Sequence, residues 1–177
     1  NLTLSASMNL NVHGRVEDEY WFSRGGMVFQ ANLQNPVSVY LLRQEIPATI
    51  RGLYDNFVAC LYPDVNAQTE EYRDWGHGSG PFYKCPDEAR FVSQVLDLLV
   101  VERNNELWLA AGTPRRWLDA GQYIELTKAQ TDYGEVSYVL RPGKAVETIE
   151  ATIHLPPKAA EKIVLFVRAP FQKQMKG

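Results

Sequence analysis

The sequence predicts an α+β chain, a few helices followed by an antiparallel β-sandwich, and three observations carry that. Apolar residues recur with a helical period through the first half of the chain. In the second half they recur every other residue. That half is also punctuated by turn residues at short intervals, as in sheets built from consecutive hairpins. The change of period predicts a helical segment over 1–96, holding a long loop at 62–86, and a β-domain over 97–177.

The elements follow in order. Glu19–Asn32 reads as helical, weakened by Gly25-Gly26. Asn35-Pro36 offers an N-cap and a first-turn proline to a short helix over Val37–Arg43. Pro47 opens a longer helix in which Ile50, Leu53, Tyr54, Phe57, Val58 and Leu61 form one apolar stripe, with Pro63 as its stop. Residues 62–86 show no regular period and are rich in Asp, Glu, Gly, Trp and Tyr. A loop this long inside a compact protein is usually functional or disordered, and its aromatics argue against disorder. Pro86-Asp87-Glu88 then brings proline and two acids to the first turn of a helix whose buried face is predicted at Val92, Val95, Leu96 and Leu99. Two or three helices do not easily build their own core. They either pack on the sandwich or belong to a larger helical body.

Strands are predicted at Leu98–Glu102 and Glu106–Ala111, joined by a turn at Arg103-Asn104-Asn105. Tyr123–Thr127 places Ile124 and Leu126 inward, and Gly134–Arg141 alternates Val136, Tyr138 and Leu140 against polar neighbours. Pro142-Gly143 occupies the positions of a type II turn. Thr148–Leu155 sets Ile149, Ala151, Ile153 and Leu155 on one side, and Lys162–Arg168 is the last strand.

Composition narrows the function classes. Among the 177 residues, 45% are hydrophobic and 22% charged, the ordinary globular range, so a buried core is expected. The net charge is −3 and basic residues are scattered, so nucleic acid is not an expected partner. The longest apolar runs, such as Val95–Val101 with Asp97 inside it, are too short to span a bilayer, so no membrane is expected. Asn1-Leu2-Thr3-Leu4 has neither an initiator Met nor a signal pattern, so the chain reads as a mature form or an excised fragment. Cys60 and Cys85 do not make a disulfide scaffold and do not fix the compartment. His13, His77 and His154 lie far apart, and neither a metal nor another cofactor is expected.

Pro86-Asp87-Glu88-Ala89-Arg90-Phe91, then Leu98–Glu102, then Leu107–Leu118 with its Thr113-Pro114-Arg115-Arg116-Trp117-Leu118 string, together resemble a segment of bacterial glycoside-hydrolase-like proteins. Those proteins join an (α/α)6 toroid of the six-hairpin glycosidase type to a C-terminal β-sandwich. The resemblance continues through Gly121 and Thr131-Asp132-Tyr133-Gly134, and upstream at Tyr40–Arg43 and Leu53–Asn56. It implies that the helices here end such a toroid and that the β-domain supports it. Most of the toroid would then lie in a missing N-terminal portion of the same protein, leaving this chain alone incomplete and inactive. The implied ligand is a carbohydrate, and a periplasmic or secreted location stays open.

Glycosidases use two carboxylates, one to protonate the leaving oxygen and one as nucleophile or base. The 62–86 loop holds Glu70, Glu71 and Asp74 beside Tyr72, Trp75 and His77, a composition suited to sugars. The resemblance makes Glu70 or Glu71 the candidate general base, with Tyr72, Asp74, Trp75 and His77 binding substrate and the acid on the missing helices. The plainer reading is a solvated loop with its aromatics packed down. A polysaccharide lyase would instead use Tyr72 or His77 as base and Arg73 to neutralise a uronate. A third possibility is a non-catalytic binding or structural module, although Tyr123, Tyr133 and Tyr138 make no evident platform. Ser79 lacks the strand–elbow–helix setting of a nucleophile. Arg115, Arg116 and Trp117 can form a cation–π cluster, but Trp117 and Leu118 closing the core, with the arginines paired, is the simpler reading. Tyr20, Trp21 and Gln30 suit a pocket or helix packing equally.

Overall fold

The computed structural model describes residues 37–62, 65–68, 71–74, 77–79, 86–143, 148–156 and 161–169. The helix expected at Glu19–Asn32, the Asn35-Pro36 cap, Tyr20, Trp21, Gln30, Pro63 and Cys85 lie outside these residues. A few helices combine with several small, mostly antiparallel sheets, an α+β chain. Cα packing divides it into two compact units, Asn1–Leu96 and Asp97–Gly177.

In the first unit, α1 (Val37–Leu42) lies against α2 (Ile46–Cys60). Gln44 takes φ 60 between them, and the Glu45 N–H returns to the Tyr40 carbonyl at 2.9 Å, so a left-handed residue closes α1. Pro47 sits in the first turn of α2, where a missing N–H costs nothing. Among the described residues of α2, Ile46, Thr49, Gly52 and Leu53 are buried. Of the predicted stripe, Leu53 is buried as expected, whereas Tyr54 is exposed. The helix ends at Cys60, where Leu61 turns extended and begins a strand instead of finishing the stripe.

The stretch expected to be one loop contains two small antiparallel hairpins. β1 (Leu61–Tyr62) pairs with β2 (Ala67–Gln68), and β3 (Glu71–Asp74) with β4 (His77–Ser79). Strands of two to four residues are too short to show alternation, and Gly and Asp have low strand propensity. Pairing rather than pattern makes them strands.

Helix α3 (Pro86–Leu99) begins where Pro86, Asp87 and Glu88 were expected to start it, but its buried face is not the predicted one. Asp87, Gln94 and Leu98 are buried, whereas Val92 and Leu96 are 55% and 46% exposed. Phe91 explains the rotation. It shares a stripe with Asp87, Gln94 and Leu98 at i, i+4, i+7 and i+11, and its ring packs on Phe57 of α2 at 5.1 Å. That aromatic contact turns the polar-bearing stripe inward.

The second unit begins inside α3, which keeps Leu98 and Leu99 that were expected to open a strand. β5 (Val100–Arg103) and β6 (Glu106–Leu109) form a hairpin across Asn104 and Asn105, whose φ of 49 and 62 define a type I′ turn. Sheet order is β10-β6-β5, with β10 (Lys162–Leu165) parallel to β6 rather than antiparallel. The intervening chain is long enough for the crossover that a parallel pair needs. The second sheet is β7 (Ile124–Thr131), β8 (Gly134–Pro142) and β9 (Ile149–His154), all antiparallel.

Leu107 and Leu109 from one sheet, and Ile124, Leu126, Val136, Tyr138 and Leu140 from the other, belong to one hydrophobic cluster. Leu118, in a 3-10 turn over Arg115–Leu118, joins it, and Trp117 packs against it, as the simpler reading of that string holds. β9 is an edge: Ile149 and Ile153 are half-buried, but Ala151 and Leu155 on the same side are exposed. Gly143 does not have the positive φ of a type II turn; a side chain there would run into Thr148 Oγ1. Gly134, after the Asp132-Tyr133 turn, takes φ 120, a region that favours glycine.

Candidate functional site

The β3–β4 hairpin carries most of the candidate residues. Glu70 and Trp75 lie outside the described residues; Glu71, Tyr72, Asp74 and His77 stand within the hairpin. In its register Glu71 is opposite Ser79, Tyr72 opposite Gly78, and Asp74 opposite His77. An irregularity between Tyr72 and Asp74 makes Arg73 an extra residue. In an unbroken strand, positions three apart fall on opposite faces. The bulge cancels that, so Glu71, Asp74, His77 and Ser79 hold register positions on the same face of the hairpin. The register thus sets Glu71, Asp74 and His77 at positions alternate to those of Tyr72 and Gly78 through a one-residue insertion.

Helix α2 lies against both β3 and β4, and β1 lies against β4. The same helix meets α3 through Phe57 and Phe91. α3 contributes buried polar groups that the sequence reading assigned to no site. Asp87 is buried in the first turn, where the helix dipole favours a carboxylate. Gln94 is 0% exposed, and its amide N and O have no hydrogen-bond partner among the described residues. The spacing of Asp87, Phe91, Gln94 and Leu98 is visible in the sequence, but two of its members are polar, and the apolar Val92, Val95, Leu96 and Leu99 give the stronger signal for a buried face. Among the described residues, no group of three or more His, Cys, Asp or Glu is placed to hold a metal ion, and no helix is long and apolar enough to cross a membrane.

In the second unit, Tyr123 is exposed, Tyr133 packs against the core and Tyr138 is inside it, so they form no row. Arg115 donates to the Ala169 carbonyl at 2.7 Å, and Arg116 lies 3.9 Å from Asp119. His154 is exposed. Comparison with known protein families, with curated proteins and with solved structures returned no match.

Proposed function

We propose that this chain is the C-terminal part of a glycoside hydrolase acting on glycans. Its first unit would close an α/α toroid, and its second would be a β-sandwich that supports the toroid. The observation that carries the reading is the hairpin register, in which a bulge at Arg73 sets Glu71, Asp74 and His77 at backbone positions of the same face. Glu71, or its neighbour Glu70, is the general base that activates water; Tyr72, Asp74, Trp75 and His77 hold the sugar. The acid comes from the rest of the toroid. A single hydrophobic cluster drawn from both three-stranded sheets supports the sandwich assignment. The exposed Val92 and Leu96 on α3 suit a helix belonging to a larger helical body.

The test uses the full-length parent on a panel of neutral and acidic glycans. Glu70→Gln and Glu71→Gln are compared with Tyr72→Phe and His77→Gln. Loss of roughly 10²-fold or more in kcat on one glutamate substitution, with hydrolysis products, supports the reading. Unsaturated uronate products, abolished by Tyr72→Phe or His77→Gln, replace it with a lyase.

A further inference from the structure

The outer strands of the two sheets in the second unit are not alike. β5 and β10 have four residues each, with Arg103 at the end of one and Lys162 at the start of the other. β7 is longer, but its register shifts between Leu126 and Ala129, and Lys128 there takes a left-handed φ of 52. Short length, a bulge and a lysine are among the devices that keep an outer strand from pairing with another chain. β9 lacks all three: its register with β8 runs unbroken from Ile149 to His154. Its apolar side is only half used. Ile149 and Ile153 pack against the core cluster, whereas Ala151 is exposed and Leu155 is 53% exposed.

The strand also fits itself. Opposite residues of an antiparallel pair share a face and a hydrogen-bonding role, so a strand meeting its own copy across a two-fold axis must centre on a residue. Centring on Thr152 sets Ile149 opposite Leu155 of the second copy, Glu150 opposite His154, and Ala151 opposite Ile153. Leu155 is then covered, and an imidazole faces a carboxylate on each side of the axis. Glu150 keeps its bond from Arg141, its neighbour on β8, at 3.2 Å. A carboxylate has two oxygens that together accept several hydrogen bonds, so the pairing does not require that bond to break. Centring on Ala151 or Ile153 instead sets Glu150 opposite Thr152 or Pro156 and loses both acid–histidine pairs.

We propose that β9 pairs antiparallel with β9 of a second copy of this chain, about a two-fold axis at Thr152. The two three-stranded sheets become one, and the rim of each core is closed at Ala151 and Leu155. This interface is independent of the carbohydrate reading and needs no glycan.

Sedimentation equilibrium of the whole chain, from micromolar to millimolar concentration, is expected to show a monomer–dimer equilibrium. Thr152→Asp brings two carboxylates together on the axis, and His154→Glu sets a carboxylate opposite each Glu150. Each should weaken dimerisation by about tenfold. Both positions are exposed, so thermal unfolding at the lowest concentration should be close to that of the parent. Thr152→Cys should give a disulfide-linked dimer in oxidised glutathione, because residues facing each other across the axis lie within disulfide reach. Glu150→Cys, which faces position 154 rather than its own copy, should not; the parent with its own two cysteines is the blank. A chain that stays monomeric over the whole range overturns the proposal. So does a dimer indifferent to both charge substitutions, or one that Glu150→Cys cross-links as readily as Thr152→Cys. Open-ended association overturns it as well, since a two-fold pairing closes on itself.

Discussion

The Tyr138 hydroxyl donates to the Leu99 carbonyl at 2.9 Å, tying the middle strand of one sheet to the end of α3. The same carbonyl accepts the Ala110 N–H at 2.7 Å, so it keeps one partner when the phenol is removed. Tyr138→Phe should therefore cost only about 1 kcal/mol, read as a lowered guanidinium midpoint at unchanged slope. Burial pushes the Tyr138 hydroxyl above its ordinary value of about 10. The unfolded tyrosine then loses its proton first, so the folded state binds more protons above that pH and stability falls as pH rises. The phenylalanine variant should lack this part of the alkaline slope. An identical slope in both proteins would contradict the assignment.

Asn105 holds a left-handed φ of 62 in a two-residue turn, and its side-chain amide donates to the exposed Glu161 carboxylate at 3.1 Å. Asn105→Ala should cost about 1 kcal/mol, because alanine enters that region reluctantly. Asn105→Gly should stay within about 0.5 kcal/mol of the parent, since Asn-Gly is the preferred pair for this turn. Thermal unfolding of the two variants side by side gives the comparison, and a glycine variant as weak as the alanine one would refute it.

Gln94 buries an amide without a hydrogen-bond partner among the described residues. Replacing it with Leu, of similar volume, removes the desolvation cost and should stabilise the protein by about 1–3 kcal/mol. Urea titration reads this directly; a destabilised variant would mean that the amide has a function in the folded protein.

The Glu106 carboxyl is held below the usual carboxylate range by its bond to the Trp108 indole, then by Lys162. A lowered value in the folded state gives stability that is present above the ordinary carboxylate pKa and is lost as pH falls through the folded one. Glu106→Gln should therefore lower the neutral plateau and flatten the acid limb of the stability–pH curve, the two proteins converging at low pH, where the parent's carboxyl is also uncharged. A plot of Tm between pH 3 and pH 7 for both proteins is the check.

Much of the second unit is legible in the sequence. Val136, Tyr138 and Leu140 alternate with polar residues because one face of β8 is buried and the other is not. The parallel position of β10 is not legible, because nothing local distinguishes a parallel from an antiparallel neighbour. On α3 the apolar residues outvote the spacing of Phe91, so the buried stripe with Asp87 and Gln94 is read as its opposite. For the candidate site, the residue types between Glu70 and His77 suggest sugar chemistry, yet the pairing of Asp74 with His77 depends on a bulge that composition does not encode.

The register of β10 on β6 matches Ile163 with Leu107 and Leu165 with Leu109, residues 56 positions apart. β6 obtains one neighbour from its own hairpin within microseconds, the timescale of hairpin closure. The other neighbour cannot arrive until three further strands have been made. During synthesis the middle strand of this sheet would thus spend its waiting time as an open edge, the state in which strands pair with the wrong chain. Shortening the route between β9 and β10 would act on the yield of folded protein more than on its final stability.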